Sequence, residues 1–217
     1  HVSDLRNAQL PSHHDYTSQY DLLVFRRLAT AQSDMPEPAA QGQAPTTPRK
    51  RSGPPVLRRI DTSPVGFALF DQLLLSVHPA DCTVRDAYAA RLLAAAPSDP
   101  REGRASPAAG VRQPTSPADL MLRVVNLMVD GYLDLRRDLT RQLDHWQTEL
   151  LKPRARYVNW SSLLEARLSL HQLDDICEDQ RTAVQHWIDE LDTWAMPESS
   201  AGQRDLDLLK VRSRDVL

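Results

Sequence analysis

Glycine and cysteine are both scarce in this chain of 217 residues, which has 7 glycines and 2 cysteines. The low glycine count argues against sites that cradle phosphate with backbone amides, and the sequence shows no nucleophile elbow or phosphate-binding loop. Cys82 and Cys177 lie far apart and lack the CxxC spacing of zinc and redox sites. This cysteine usage favours a reducing compartment. Because no catalytic motif stands out, we do not expect an enzyme.

Long apolar runs and an excess of positive charge are absent as well. No stretch approaches the roughly 18 apolar residues that can span a bilayer, and the N-terminus shows no signal-peptide pattern. Lys and Arg together number 26 against 29 Asp and Glu, so the formal net charge is -3. Such a chain offers no broad positive surface to a phosphate backbone. We therefore expect no nucleic acid partner.

Two parts of the first third of the sequence predict strands. Residues 20–29 form a short apolar segment bounded by polar residues, which is typical of a largely buried strand. Residues 65–70 and 73–78 predict a hairpin that turns at Asp71 and Gln72 and is closed by a proline.

One helix is expected to follow this hairpin. Thr83 is a candidate N-cap, and Asp86 three residues later completes a possible capping box, in which both side chains satisfy free backbone amides. The helix would pack on the sheet through three apolar residues, Ala87, Ala90 and Leu93.

Two stretches rich in proline and small residues divide the chain. Residues 31–59 predict a mobile insertion, because their composition buries too little apolar surface to offset the cost of ordering them. Residues 97–115 predict a linker of similar character. They define an α/β subdomain at residues 1–96 that contains the insertion.

A long antiparallel helical hairpin is predicted for residues 116–196. Its first helix has Ser116 as N-cap, Pro117 at the first helical position and Asp119 near the positive helix end. Apolar residues then repeat in heptads. The first seam consists of Ala118, Val125, Tyr132, Leu139 and Trp146 at one position and Met121, Met128, Leu135 and Gln142 at the other.

The returning helix of this hairpin is expected to begin near Ser162, where Glu165 completes another possible capping box. Its seam consists of Leu163, Leu170, Cys177, Val184 and Leu191 at one position and Ala166, Leu173, Gln180, Trp187 and Trp194 at the other. Three tryptophans, Trp146, Trp187 and Trp194, should therefore be partly buried.

A third helix is predicted over residues 203–217, and no glycine, asparagine or proline stop signal follows it. The chain also begins without an initiator methionine. We therefore expect it to be a fragment of a longer protein, with this helix continuing beyond Leu217.

Two polar motifs contain metal-ligand residue types. DDICED at residues 174–179 is similar to the DDxxD pattern with which terpene and prenyl synthases hold magnesium, but the seam places Asp175, Glu178 and Asp179 on the outer face. A solvated helix face is the better interpretation. HHD at residues 13–15 lacks the further ligands of a zinc site, so a polar loop before a strand is expected there.

Four segments together resemble the cytoplasmic domain of the CorA family of divalent cation transporters. SDLRNAQLPSHHDYTSQYDLLVFRRL is similar to the family's Glu-Asp-x-x-Asn, Pro and Tyr pattern before a strand, and FALFDQLLLSVHP to its hairpin. ADLMLRVVNLMVDGYLDL resembles the start of its first long helix, and LSLHQLDDICEDQRTAV its returning helix. The order of the four segments is more specific than any one of them.

The resemblance implies an α+β protein: an α/β/α sandwich followed by a long antiparallel helical hairpin and the start of a stalk helix. In the family that stalk continues into a membrane pore with a Gly-Met-Asn signature, and five copies assemble around it. The full-length protein would thus lie in the inner (plasma) membrane, with this part on the cytoplasmic side. Mg²⁺, Co²⁺ or Zn²⁺ would be the transported ion, and no small organic substrate is implied.

The resemblance also implies a regulatory Mg²⁺ site between neighbouring copies. The positions that match its aspartate pair are Asp4 and Asp205. Ser3 stands where the family often has glutamate, and Asn126 where a further acidic residue can occur. A weaker, differently tuned or absent site is therefore one alternative, and the zinc-transporting branch of the superfamily is another.

Two alternatives from other classes remain open at the level of sequence. A soluble scaffold would dock partner helices through the heptad seam of the hairpin. An enzyme would use DDICED to bind a metal and its substrate, and Asp174→Ala would then abolish activity.

Overall fold

The computed structural model describes residue 7 and residues 9–29, 60–95, 113–151 and 160–217. In chain order its elements are β1 (His13–Tyr16), β2 (Asp21–Leu28), β3 (Thr62–Leu69), β4 (Leu74–Val77), α1 (Thr83–Ala95), α2 (Pro117–Leu150), α3 (Trp160–Thr193) and α4 (Ser200–Asp215). The predicted insertion at 31–59 and most of the predicted linker at 97–115 lie outside the described residues, so their boundaries stay predictions.

The four strands form one antiparallel sheet in the order β1-β2-β3-β4. The predicted hairpin is confirmed: β3 and β4 pair in register from Gly66 to Leu69, and Phe70 donates its N–H to the carbonyl of Leu73 at 2.9 Å. Strand β1 corrects an expectation, because residues 13–16 form an edge strand rather than a polar loop. Its four polar or aromatic residues carry no apolar alternation that would identify a strand.

Strands β2 and β3 are buried on both faces. Leu23 and Phe25 pair across the strands with Phe67 and Val65 and belong to the main core. On the opposite face, Leu22 is only 1% exposed. Burial on both faces explains why β2 has a continuous apolar run instead of an alternating pattern, and it is what a sandwich requires.

Helices α2 and α3 lie antiparallel and cover one face of the sheet. The N-terminal half of α2 and the C-terminal half of α3 share the main core with the sheet, through residues such as Met121 and Val184. Farther along, Leu135 packs in a second cluster with Leu173. The α+β class and the helical hairpin are therefore confirmed. The predicted burial of Trp146, Trp187 and Trp194 is confirmed as well, with Trp187 only 1% exposed.

Two details of α3 differ from the heptad prediction. The helix begins at Trp160, so Ser162 lies inside it and is not its N-cap. Cys177 is exposed, and the neighbouring Ile176 is buried instead. A straight helix drifts by about 20° per heptad relative to a strict seven-residue repeat. Because α3 packs on a sheet as well as on a helix, its buried stripe follows this drift.

Helix α1 forms where expected but buries a different face. The three residues expected to pack on the sheet, Ala87, Ala90 and Leu93, are exposed, whereas Tyr88 is 7% exposed. Thr83 is the first helical residue rather than the N-cap, since Asp86 donates its N–H to the carbonyl of Cys82. The reason is that α1 packs against α2.

Candidate functional site: the docking of helix α4

Helix α4 is the element expected to connect this domain to a pore, so its attachment to the sheet, α2 and α3, which together we call the body, is the candidate site. The helix begins at Ser200, three residues before the predicted start. Ser199 is its N-cap, and its Oγ accepts the N–H of Gly202 at 3.0 Å. Arg212 and Arg214 lie in the last turn, where positive charge complements the helix dipole.

The buried face of α4 packs against α3 through apolar and aromatic contacts. Leu206 and Leu209 are 7% and 4% exposed, and Leu209 belongs to the main core. Trp187 of α3 donates its indole N–H to the hydroxyl of Ser213 at 3.3 Å. The Trp187 ring also meets the ring of Trp194 edge-on, with centroids 5.6 Å apart. This side of the junction is largely apolar and buried.

A buried carboxylate links α4 to α2. The side chain of Asp119 is 5% exposed and accepts a hydrogen bond from Arg212 of α4 at 2.6 Å. Arg123, one turn farther along α2, approaches it at 2.8 Å, and the N–H of Thr115 donates to it at 3.2 Å. The same aspartate donates its own backbone N–H to Ser116, which confirms Ser116 as the N-cap of α2.

Charge around Asp119 favours its ionised form. Burial of the carboxyl group acts to raise its pKa, but the hydrogen bonds from Arg123 and Thr115 and the charges of both arginines outweigh burial and lower the pKa below its usual value. Asp119 is therefore charged throughout the physiological pH range. One carboxylate here holds two guanidinium groups that would otherwise repel each other.

A second ion pair links α4 to α3 at the surface. Lys210 lies 2.9 Å from Asp192, whose side chain is 53% exposed. The hydrogen bond and charge of Lys210 lower the pKa of Asp192. Because solvent reaches this pair, it should contribute little to docking.

A third polar contact fixes α2 and α3 on strand β2. The backbone carbonyl of Arg26 accepts hydrogen bonds from Tyr132 Oη at 2.9 Å and from Gln180 Nε2 at 2.7 Å. The N–H of Arg26 donates to Ser12 Oγ at 3.1 Å, which shows that this residue faces the β1 edge just before the start of β1. Side chains thus bond the backbone of Arg26 at a position that the pairing with β1 does not reach. Tyr132 and Gln180 are polar residues in apolar seams, and this was the sequence signal for their role.

The residues predicted to bind metal are only partly within the described structure. Asp205 lies exposed on α4, next to the buried Leu206. Asp4 and Ser3 lie outside the described residues, so the structure does not test whether Asp4 and Asp205 meet; Asn126 is half-buried on α2. In the described part of the chain, no group of three or more His, Cys, Asp or Glu side chains is arranged to hold a metal ion.

The two polar motifs are placed as follows. The outward orientation predicted for Asp175, Glu178 and Asp179 is confirmed, since all three are exposed, as is Asp174. His14 is on β1 and meets the ring of Trp187 edge-on at 5.7 Å. Burial lowers the pKa of His14, against the opposing charge of Glu190. His14 is therefore part of the packing between β1 and α3.

Comparison with known proteins identifies the family. A family model described as CorA-like Mg²⁺ transporter protein matches residues 49–208. The chain belongs to this CorA-like family. The matched range includes α2, α3 and the part of α4 that contains Asp205. The resemblance to the CorA family is thereby confirmed, and the matched range contains three of the four sequence segments, all but residues 3–28. No curated protein matches the chain.

Two solved CorA structures from Methanocaldococcus jannaschii share its fold. The soluble domain of CorA is 14% identical with a TM-score of 0.52, and the match covers 100% of this chain and 71% of that chain. The complete CorA magnesium transporter is 12% identical with a TM-score of 0.58, and the match covers 99% of this chain and 55% of that chain. This chain therefore spans about half of the complete transporter. Among the helices described here, none is both long and apolar enough to cross a bilayer.

Proposed function

We propose that this chain is the ion-sensing and gating domain of a CorA-like divalent metal cation transporter. The observation that carries the proposal is the family match over residues 49–208, which extends across the helical hairpin into α4. In the full-length protein, α4 continues towards a pore in the inner (plasma) membrane, and the body lies on the cytoplasmic side. Mg²⁺ is the transported ion in this proposal; Co²⁺ and Zn²⁺ are the alternatives.

The sensing step uses carboxylates that meet between copies of the chain. Asp205 is exposed on α4, so it is available to a neighbouring copy, and Asp4 is its proposed partner. Carboxylates brought together across an interface repel each other, and a hard cation with oxygen ligands removes that repulsion. Mg²⁺ occupancy would therefore stabilise one arrangement of five copies, the closed one, over others.

Docking of α4 supports this mechanism. An ion bound at Asp205 can act on the domain only if α4 and the body move in a defined relation to each other. The contacts of Leu206, Leu209 and Ser213 with the core, and of Arg212 with Asp119, supply that relation. The scaffold alternative has less support, because the hairpin seam is already buried against the sheet at residues such as Met121 and Val125.

The proposal is tested by thermal unfolding of the chain at increasing Mg²⁺ concentration and constant ionic strength. A ligand at ten times its dissociation constant stabilises the folded state by about 1.4 kcal/mol, so the midpoint should rise with Mg²⁺ for the wild-type chain. Asp205→Asn should remove most of this rise. Asp207→Asn, which neutralises another exposed carboxylate on α4, should retain it. A wild-type midpoint that does not respond to Mg²⁺ would contradict ion sensing by this chain.

A further inference from the structure

We propose that Arg212 is a positioning residue, which couples α4 to the body by binding the buried carboxylate of Asp119. Without this bond α4 leaves the body more often, and an undocked helix of 16 residues opens its backbone hydrogen bonds more readily. The regulatory consequence rests on the proposed function, whereas the docking itself does not.

The contacts of α4 divide between two helices. The hydrogen bond of Ser213 and the ion pair of Lys210 both reach α3. Among the polar contacts described for α4, the bond from Arg212 is the one that reaches α2, joining residues 93 positions apart in sequence. Helix α4 lies against both α2 and α3. The Arg212 bond adds the polar attachment to α2. Its loss should loosen α4 at α2 while the polar attachments to α3 remain.

Shielding makes the Arg212 bond stronger than the surface pair. The difference lies in the carboxylates: the Asp119 side chain is 5% exposed and that of Asp192 is 53% exposed. The two cations do not differ in this direction, since Arg212 is 30% and Lys210 is 20% exposed. Charge-assisted hydrogen bonds gain strength where water and salt cannot screen them. Arg212 should therefore dominate the polar part of docking.

Asp119 remains satisfied when Arg212 is removed. Its carboxylate still has Arg123 at 2.8 Å and the N–H of Thr115 at 3.2 Å. A change at Arg212 thus leaves no buried charge without a partner, and it separates docking of α4 from folding of the body. A change at Asp119 would disturb both the docking of α4 and the folding of the body, because it would leave two arginines beside a neutral group.

The position of Arg212 also connects it with the proposed ion site. Asp205 precedes it by seven residues, which is two helical turns, or about 10 Å along the axis, on the same side of the helix. An ion that holds Asp205 acts on the same rigid segment that Arg212 holds to the body. Cutting the Arg212 bond should therefore uncouple ion occupancy from the position of the body.

The test is hydrogen exchange of the α4 backbone amides, measured by mass spectrometry on the whole chain without Mg²⁺. Arg212→Met retains the aliphatic stem but removes the charge, and it should speed exchange in α4 by about 10- to 100-fold. Arg212→Lys keeps the charge and should restore slow exchange. The matched control Lys210→Met removes the surface pair and should change exchange by less than about fivefold.

The proposal is overturned if Arg212→Met exchanges as slowly as Lys210→Met, or if Arg212→Lys exchanges as fast as Arg212→Met. Repeating the measurement with Mg²⁺ tests the positioning role of Arg212 separately from the proposed function. Faster exchange in Arg212→Met with no Mg²⁺ response in the wild-type chain supports the positioning role and contradicts ion sensing. A Mg²⁺ response in the wild-type chain, together with slow exchange in Arg212→Met, supports ion sensing and contradicts the positioning role.

Discussion

Trp187 on α3 donates its indole N–H to the hydroxyl of Ser213 on α4 at 3.3 Å, and both side chains are almost completely buried, at 1% and 0% exposed. An indole N–H can only donate, and at this depth no water is available to replace a lost acceptor. The pair therefore sets the register between the two helices. It complements the bond to Asp119 of α2, which the adjacent residue Arg212 makes.

Ser213→Ala should destabilise the chain by about 1 to 3 kcal/mol, because it leaves the buried N–H of Trp187 without an acceptor. Urea unfolding followed by tryptophan fluorescence measures the change. Ser18→Ala at an exposed turn is the control and should stay within about 0.5 kcal/mol of the wild type. Equal stability of the two variants would show that this hydrogen bond does not hold α4.

Two helical glycines should respond to alanine in opposite directions. A Cβ added at Gly202 would lie 2.8 Å from Pro197 Cβ and 3.0 Å from Ser199 Oγ, so the turn before α4 would have to shift. A Cβ added at Gly131 meets Leu28 Cδ1 at 3.9 Å, an ordinary contact. Gly131→Ala should therefore stabilise α2 by up to about 1 kcal/mol, and Gly202→Ala should lower the melting temperature. A rise in both variants would contradict the close approach at Gly202.

Asp21 at the start of β2 should make stability depend on pH. Burial, with a further contribution from the charge of Glu190 on α3, raises the pKa of Asp21 to about 6. The folded state disfavours the ionised form of Asp21. The contribution of Asp21 to the free energy of unfolding is therefore largest below about pH 4, falls as pH rises to about 6 and stays low above that.

Asp21→Asn should therefore be more stable than the wild-type chain at pH 7.5, by about 1 kcal/mol, since solvent partly screens this half-exposed carboxylate. The advantage should disappear near pH 4. Asp144→Asn on the exposed face of α2 is the control, and its stability should stay within about 0.5 kcal/mol of the wild type at pH 7.5. Denaturant unfolding of the three proteins at both pH values checks this prediction. A gain of Asp21→Asn that persists at pH 4 would show that ionisation of Asp21 is not its cause.

Local signals predicted the elements whose structure is decided locally. Ser116 and Pro117 started α2 as expected, because an N-cap and its first-turn residues interact within four positions. The hairpin turn at Asp71 and Gln72 was equally local. Strand β1 was missed because its pairing with β2, not its own composition, makes it a strand. Cys177 was placed inward because a strict heptad ignores the sheet beneath α3.

The docking of α4 could not be predicted from the sequence in the same way. Asp119 already had a sufficient local explanation in the first turn of a helix, where a negative charge is favourable. Its contact with Arg212 joins residues 93 positions apart, and nothing in the neighbourhood of either residue specifies the other. The polar Tyr132 and Gln180 in apolar seams were a visible signal, but their shared acceptor is a backbone carbonyl, which has no sequence signature.

The most direct test of the central claim is sedimentation velocity of the chain with and without Mg²⁺, using wild-type protein, Asp205→Asn and Asp207→Asn. If the chain senses Mg²⁺ by binding it between copies, the wild type and Asp207→Asn should shift to a larger assembly when Mg²⁺ is added. Asp205→Asn should not shift. Asp4→Asn should behave like Asp205→Asn. A distribution of the wild-type chain that Mg²⁺ leaves unchanged, or an Asp205→Asn variant that assembles as the wild type does, would contradict the account.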